Sequence, residues 1–162
     1  AKQDGCPEDV PPISTCAAHE ASQGQKPTAS LPVLAKAGNH AELRRVLVAE
    51  PERVNEVDEG GWTALMIAAG KGNLQMVTEL LSTKGIAVNL GDKGGMTACH
   101  FAALYGHDAI VRLLARRGAD VNQQSNDGAT SLYAASHWGC WSMVLCLLSL
   151  GALPEIPGRP AG

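Results

Sequence analysis

The sequence predicts an all-α fold, a solenoid of stacked helix-turn-helix units with β-turn or hairpin tips. Three observations predict it. Thr63, Thr97 and Thr130 open near-copies of one stretch, TALMIAAGKG, TACHFAALYG and TSLYAASHWG, at steps of 34 and 33 residues (97 − 63 and 130 − 97). A second marker, Val54-Asn55, Val88-Asn89 and Val121-Asn122, keeps the same two steps. A period near 33 residues is the signature of a stacked helical array. The third observation is the chemistry inside one period. Two helices of about 8–10 residues cannot bury their apolar faces on each other alone, so each pair needs a neighbour on both sides.

The elements follow in chain order. Residues 1–28 are rich in Pro, Gly, Ser, Gln and charge, without apolar periodicity at 2 or 3.6, and read as a flexible leader or linker. A segment that lies along the array or docks on a partner is the other reading. The array is expected over 29–156, divided at about 29–57, 58–91, 92–124 and 125–156, with a tail at 157–162. Its first unit, LAKAGNHAELRRVLVAEPERVN at 34–55, is degenerate and acts as the N-terminal cap.

The third unit shows the logic most clearly. Asp92-Lys93-Gly94-Gly95 is a turn with glycines free to take positive φ. Thr97 is an N-cap, worth about 1 kcal/mol. Residues 98–105 make the first helix, where Ala102 and Ala103 allow close approach of a neighbour. Gly106 ends it in the left-handed conformation. Residues 107–117 make the second helix, with Ile110, Val111, Leu113 and Leu114 inside and Arg112, Arg116 and Arg117 outside. The last second helix, WSMVLCLLSLG, has hardly a polar side chain on any face. A terminal repeat normally turns a polar side outward. This helix is therefore expected to be covered: by a further repeat beyond Gly162, by a partner or a second copy, or by the Pro/Gly tail PEIPGRPAG folding back.

Composition narrows the function classes. Hydrophobic residues at 45% against charged ones at 18% suit a folded chain rather than a disordered one. The net charge of −3 offers no broad electrostatic grip on nucleic acid or anionic lipid. The longest apolar run, VLCLLSL at 144–150, is far short of the ~18–20 residues of a membrane span. The chain opens at Ala1 without Met and without a basic-apolar signal segment, as a processed or excised piece would. Five cysteines cannot all pair within the chain. Cys99, Cys140 and Cys146 stand in apolar segments as small hydrophobes, and Cys6 and Cys16 could pair only in an oxidising compartment. The set reads as reduced thiols of a cytoplasmic or nuclear protein.

The candidate chemistry is weak. His137-x-x-Cys140 and Cys99-His100 could offer metal ligands, but neither has the paired close spacing that structural zinc sites use. Gly70-Lys71-Gly72 lacks the G-x-x-x-x-G-K-[ST] pattern and ends a helix instead of opening one. Asp58-Glu59 belongs to a turn and is expected to be solvated. No Ser/His/Asp arrangement stands out. No enzyme activity, cofactor or metal is expected.

The text DKGGMTACHFAALYGHDAIVRLLARRGADVN at 92–122 resembles the ankyrin repeat family, whose pattern is D-x-x-G-x-T-P-L-H-x-A-A-x-x-G-H with a G-A-D-V-N ending. DEGGWTALMIAAGKGNLQMVTELLSTKGIAVN at 58–89 and SNDGATSLYAASHWGCWSMVLCLLSLGALPE at 125–155 match it too. The family's Pro is Ala64, Ala98 and Ser131 here, its His survives only as His100, and 82–85 carries one extra residue. The resemblance implies that Cys99 is core and that His100 orders the turn. Asn89 and Asn122 fall where related proteins sometimes carry a hydroxylated Asn, a slot that equally suits a side-chain hydrogen bond holding the hairpin.

The resemblance also implies a protein or peptide partner on the concave face, lined by turn tips and first-helix ends. The tip slots are Glu59, Gly60 and Trp62, then Lys93, Gly94 and Met96, then Asn126, Asp127 and Ala129. The helix-end slots are Gly70 and Lys71, Leu104 and Tyr105, His137 and Trp138. Three of the six aromatic residues, Trp62, Tyr105 and Trp138, fall here, as an interaction hot spot would require. Lateral packing between repeats would use the same residues. The competing function is a regulatory or structural segment of a larger enzyme or channel, contacting a neighbouring domain or self-associating through its apolar last helix.

Overall fold

A computed structural model describes residues 29–154. The leader at 1–28, the pairing of Cys6 and Cys16, and the tail after residue 154 lie outside the described residues. Within them the chain is all-helical, with eight α-helices in four pairs: α1 (Leu31–Ala37) with α2 (His40–Ala49), α3 (Ala64–Gly70) with α4 (Leu74–Ser82), α5 (Ala98–Leu104) with α6 (Asp108–Arg116), and α7 (Ser131–His137) with α8 (Trp141–Ser149). A 3-10 turn at Pro51–Asn55 follows α2.

The helices form two layers. The first helices α1, α3, α5 and α7 pack side by side in sequence order, and α2, α4, α6 and α8 form a second row behind them. Each first helix has only seven residues, too short to persist by itself in water, so packing holds it. Alanines make that packing close: Ala68, Ala69, Ala102, Ala103 and Ala135 are fully buried. Behind them Met76, Ile110 and Met143, one each in α4, α6 and α8, are fully buried.

Two of the three threonines cap by side chain, while the Thr97 hydroxyl stands 2.9 Å from His100 Nδ1. Thr63 and Thr130 accept from the amides of Met66 and Tyr133, both at 3.2 Å. Gly106 has φ 76°, and its amide and that of His107 close on the Ala103 and Ala102 carbonyls, as a left-handed helix end requires. The 98–105 helix stops at Leu104, and the 107–117 helix runs from Asp108 to Arg116.

Asparagine ties each pair to the next. Asn55 Nδ2 donates to the Gly85 carbonyl (2.8 Å) and its Oδ1 accepts from the Ala87 amide (2.7 Å). Asn89 does the same to Gly118 and Asp120, and Asn122 to Gly151 and Leu153. The Val-Asn marker thus repeats because its Asn clamps the loop that ends the following second helix.

Two expectations are corrected. Asp58 is not a solvated turn carboxylate: its side chain is largely buried and pairs with Lys36 Nζ at 2.6 Å. Cys140, expected to be a reduced thiol, is disulfide-bonded, while Cys99 and Cys146 are free and buried. An apolar sequence context reads as a small buried hydrophobe, and Cys140 is indeed fully buried, but neither context nor burial distinguishes a thiol from a disulfide.

Candidate functional site

The turn tips and the first-helix ends make one face. At each tip an oxygen-bearing side chain folds the backbone over itself. Asp58 Oδ1 accepts from the amides of Gly60 and Trp62, and Asp92 Oδ1 from those of Gly94 and Met96, all at 2.9 Å. Ser125 Oγ takes the Ala129 amide at 3.2 Å. Neighbouring tips are then joined. The Asn126 amide donates to the Gly94 carbonyl (2.8 Å) and its Nδ2 to the Lys93 carbonyl (2.9 Å). A Cβ on Gly95 would lie 2.8 Å from the Asn126 backbone nitrogen, so only glycine lets these tips meet.

The aromatic slots divide into two kinds. Trp62 is a lateral strut: its ring meets Phe101 edge-on at 5.5 Å, and its Nε1 donates to Asp92 Oδ2 at 3.0 Å in the next repeat. Lys36 Nζ stands 5.7 Å over the same ring. Trp138 is half-buried, with the His137 ring edge-on at 5.5 Å and His137 stacked on Tyr133 at 5.9 Å. Tyr105 is half-buried between these groups along the chain, and burial raises its phenol above the usual range, keeping it neutral.

The remaining slots are equally mixed. Glu59, Lys93, Asp127 and His137 are exposed, as is Lys71, whose Nζ donates to the Lys36 carbonyl. Met96 and Leu104 are half-buried. Asn126 is exposed but spent on the tip-to-tip bonds. Gly70 is buried, and its carbonyl accepts from His107 Nε2 at 3.0 Å.

A groove of about 690 Å³ opens at the N-terminal end of this face, lined by Val33, Lys36, Val57, Asp58, Glu59 and Trp62 among others. Burial opposes ionisation of Asp58, but Lys36 and the Trp62 and Gly60 amides outweigh it and hold the carboxyl below the usual range. Val33, Lys36 and Val57 were not anticipated. A signal existed: Lys36 stands 34 residues before Gly70, in the helix-end slot of the degenerate first unit.

Cys99 and His100 take no part in this face. Burial raises the Cys99 thiol, the opposite of what a nucleophilic thiolate needs. His100 Nδ1 accepts from the Thr97 amide (3.1 Å), so the proton sits on Nε2, which donates to the Ala129 carbonyl of the next repeat (3.1 Å). Burial lowers its pKa, and the ring stays neutral. Among the described residues no three His, Cys, Asp or Glu side chains stand close enough to hold a metal ion, and no helix is long and apolar enough to cross a membrane.

Comparison with known proteins finds the pattern described as ankyrin repeats, three copies, over residues 31–125. Protein glp-1 of Caenorhabditis elegans is 33% identical over 100 residues, 55% of this chain and 8% of that protein. The E3 ubiquitin-protein ligase XBAT33 of Arabidopsis thaliana is 49% identical over 49 residues, 30% of this chain and 10% of that protein. Human protein phosphatase 1 regulatory subunit 27 is 33% identical over 82 residues, 51% of this chain and 53% of that protein. The chain thus spans about a tenth of the first two and half of the third.

Proposed function

The chain belongs to the ankyrin repeat family, and on that premise we propose that it recognises a protein or peptide partner on its concave face and performs no chemistry of its own. Ankyrin repeats generally serve as protein-interaction modules, and regulatory subunits of protein phosphatase 1 are among the relatives. The observation that carries the proposal is the division of labour on that face. Hydrogen bonds within and between the tips are satisfied by Asp58, Asp92, Ser125 and Asn126, which leaves Glu59, Lys93, Asp127 and His137 exposed, with half-buried Trp138 edge-on to His137. A half-buried aromatic beside exposed charges is what an interaction hot spot is built from. Trp62 supports the site by walling the adjacent groove.

The free thiols of Cys99 and Cys146 support placement in the cytoplasm or nucleus and the Cys140 disulfide opposes it; thiol titration of protein isolated under alkylation tests it, a persistent Cys140 disulfide contradicting that placement.

A second reading has its own observation. Trp141, Leu145 and Leu148 expose a row of large apolar side chains on α8, which suits a contact with a neighbouring domain or another chain.

The test of the first reading is affinity capture from native extract with the wild-type chain beside a Glu59→Lys/Lys93→Glu/Trp138→Ala variant. Partners held by the first and lost by the second, at equal melting temperature, support concave-face recognition. Partners held equally by both contradict it.

A further inference from the structure

The two ends of the stack are built differently, and the difference follows slot by slot. Glu42 and Arg45 of α2 occupy the slots of Met76 and Glu79 in α4, Ile110 and Leu113 in α6, and Met143 and Cys146 in α8, at offsets of 34, 34 and 33. In the later repeats these slots are buried or half-buried against the preceding pair. At the N-terminal end, where there is no preceding pair among the described residues, they hold an ion pair, Arg45 Nη1 to Glu42 Oε2 at 3.0 Å. That end is closed with charge.

The other end is not. The slots that receive a following repeat are Met66, Val77 and Leu81 in the second pair and His100, Val111 and Ala115 in the third, all buried except half-buried Ala115. In the fourth pair they become Tyr133, Val144 and Leu148. Tyr133 is 40% exposed, Leu148 45%, and Val144 half-buried. Among the described residues the stacking surface is complete but uncovered. Beside it Trp141 (70% exposed) and Leu145 (69%) extend the patch, so that 141, 145 and 148 form one stripe at i, i+4 and i+7. Such a stripe is the seam of a helix-helix contact.

We propose that this C-terminal face binds a second copy of the same face in a two-fold symmetric dimer, with α8 packed antiparallel on its counterpart. The face is continuous with the repeat-to-repeat interface and carries the same slots, so its complement is a helix pair of this kind. The charged N-terminal end selects which. Head-to-tail stacking would bury the Glu42–Arg45 pair against Val144 and Leu148, and a desolvated ion pair facing hydrocarbon is unfavourable. Joining two C-terminal faces buries apolar on apolar, and a self-complementary patch closes at two copies. This deepens the second reading above and is independent of concave-face recognition.

Sedimentation equilibrium of the whole chain from micromolar to a few hundred micromolar, run with and without reductant, tests the proposal. A reversible monomer–dimer equilibrium is expected. Leu145→Glu/Leu148→Glu, which lies on exposed slots and leaves the buried side untouched, should shift the midpoint at least tenfold higher in concentration with unchanged far-UV circular dichroism. Arg45→Ala should leave it unchanged. A monomer at every concentration, growth beyond two copies, a dimer that reductant abolishes, or a dimer that survives the α8 variant would each overturn it. Concave-face capture by the α8 variant stays intact in either case, which separates this contact from partner recognition.

Discussion

α6 and α8 occupy the same place in successive repeats, have nine residues each, and turn opposite chemistries to the outside. α6 puts exposed Arg112 where α8 puts exposed Leu145, and half-buried Asp108 where α8 puts exposed Trp141. Their inner slots hardly differ: Ile110, Val111 and Leu114 against Met143, Val144 and Leu147. The inside of a repeat is dictated by the frame, because every internal slot must fit a neighbour. The outside is free of that constraint, so an apolar outside marks a contact outside the frame.

The largest expected effect is in the shared core. Leu81→Ala should cost about 3 kcal/mol, and Leu148→Ala in the same slot distinctly less, about 1, because Leu81 is covered by the following pair and Leu148 is 45% exposed. Urea unfolding gives both values. Equal costs would mean that the α8 end is as enclosed as the middle, and the comparison would fail.

A smaller pair of effects separates the aromatics. Trp62→Ala removes the Phe101 contact and the Asp92 hydrogen bond and should cost about 2 kcal/mol, whereas Trp138→Ala should cost less than about 1. Thermal melting distinguishes them. A neutral Trp62→Ala would return that residue to the binding surface.

Next come the asparagine clamps. Asn89→Ala and Asn122→Ala each remove two cross-repeat hydrogen bonds and should cost about 1–2 kcal/mol. Hydrogen exchange should show the Asn122 variant opening only the last pair, with Asn89 loosening both later pairs. Uniform loosening by either would argue against a stack held by nearest neighbours.

The smallest effect is on pH. The His100 ring is neutral in the fold because burial lowers its pKa, so the unfolded chain binds the extra proton. Its contribution is complete above about pH 6.5 and is lost as pH falls below that value. His100→Gln should flatten the fall in melting temperature between pH 6.5 and 5; an unchanged slope would contradict the neutral assignment.

Much of this was legible in the sequence, and the reasons are physical. The period, the Thr caps, Gly106 and the apolar α8 follow from side-chain chemistry within a single repeat. What was not legible lies between repeats. Nothing in the Asp58-Glu59 dipeptide shows that Lys36, 22 residues away, will bury one carboxylate and leave the other in water. Trp62, Met96 and Ala129 share a slot, yet only Trp62 is an aromatic with a Phe one repeat on, Phe101, to pack against; the residue in the slot of Phe101 one repeat later is Ala134. The role of a slot is set by its neighbour's residue, which a period alone does not reveal.

The most direct measurement is a hydrogen-exchange footprint of the chain bound to a partner captured from its native extract. Concave-face recognition predicts protection at the tips around 59–62, 93–96 and 126–129 and at the end of α7, with α2, α4 and α6 unchanged. Protection confined to the second-helix row, with the tips exchanging as in the free chain, would contradict it.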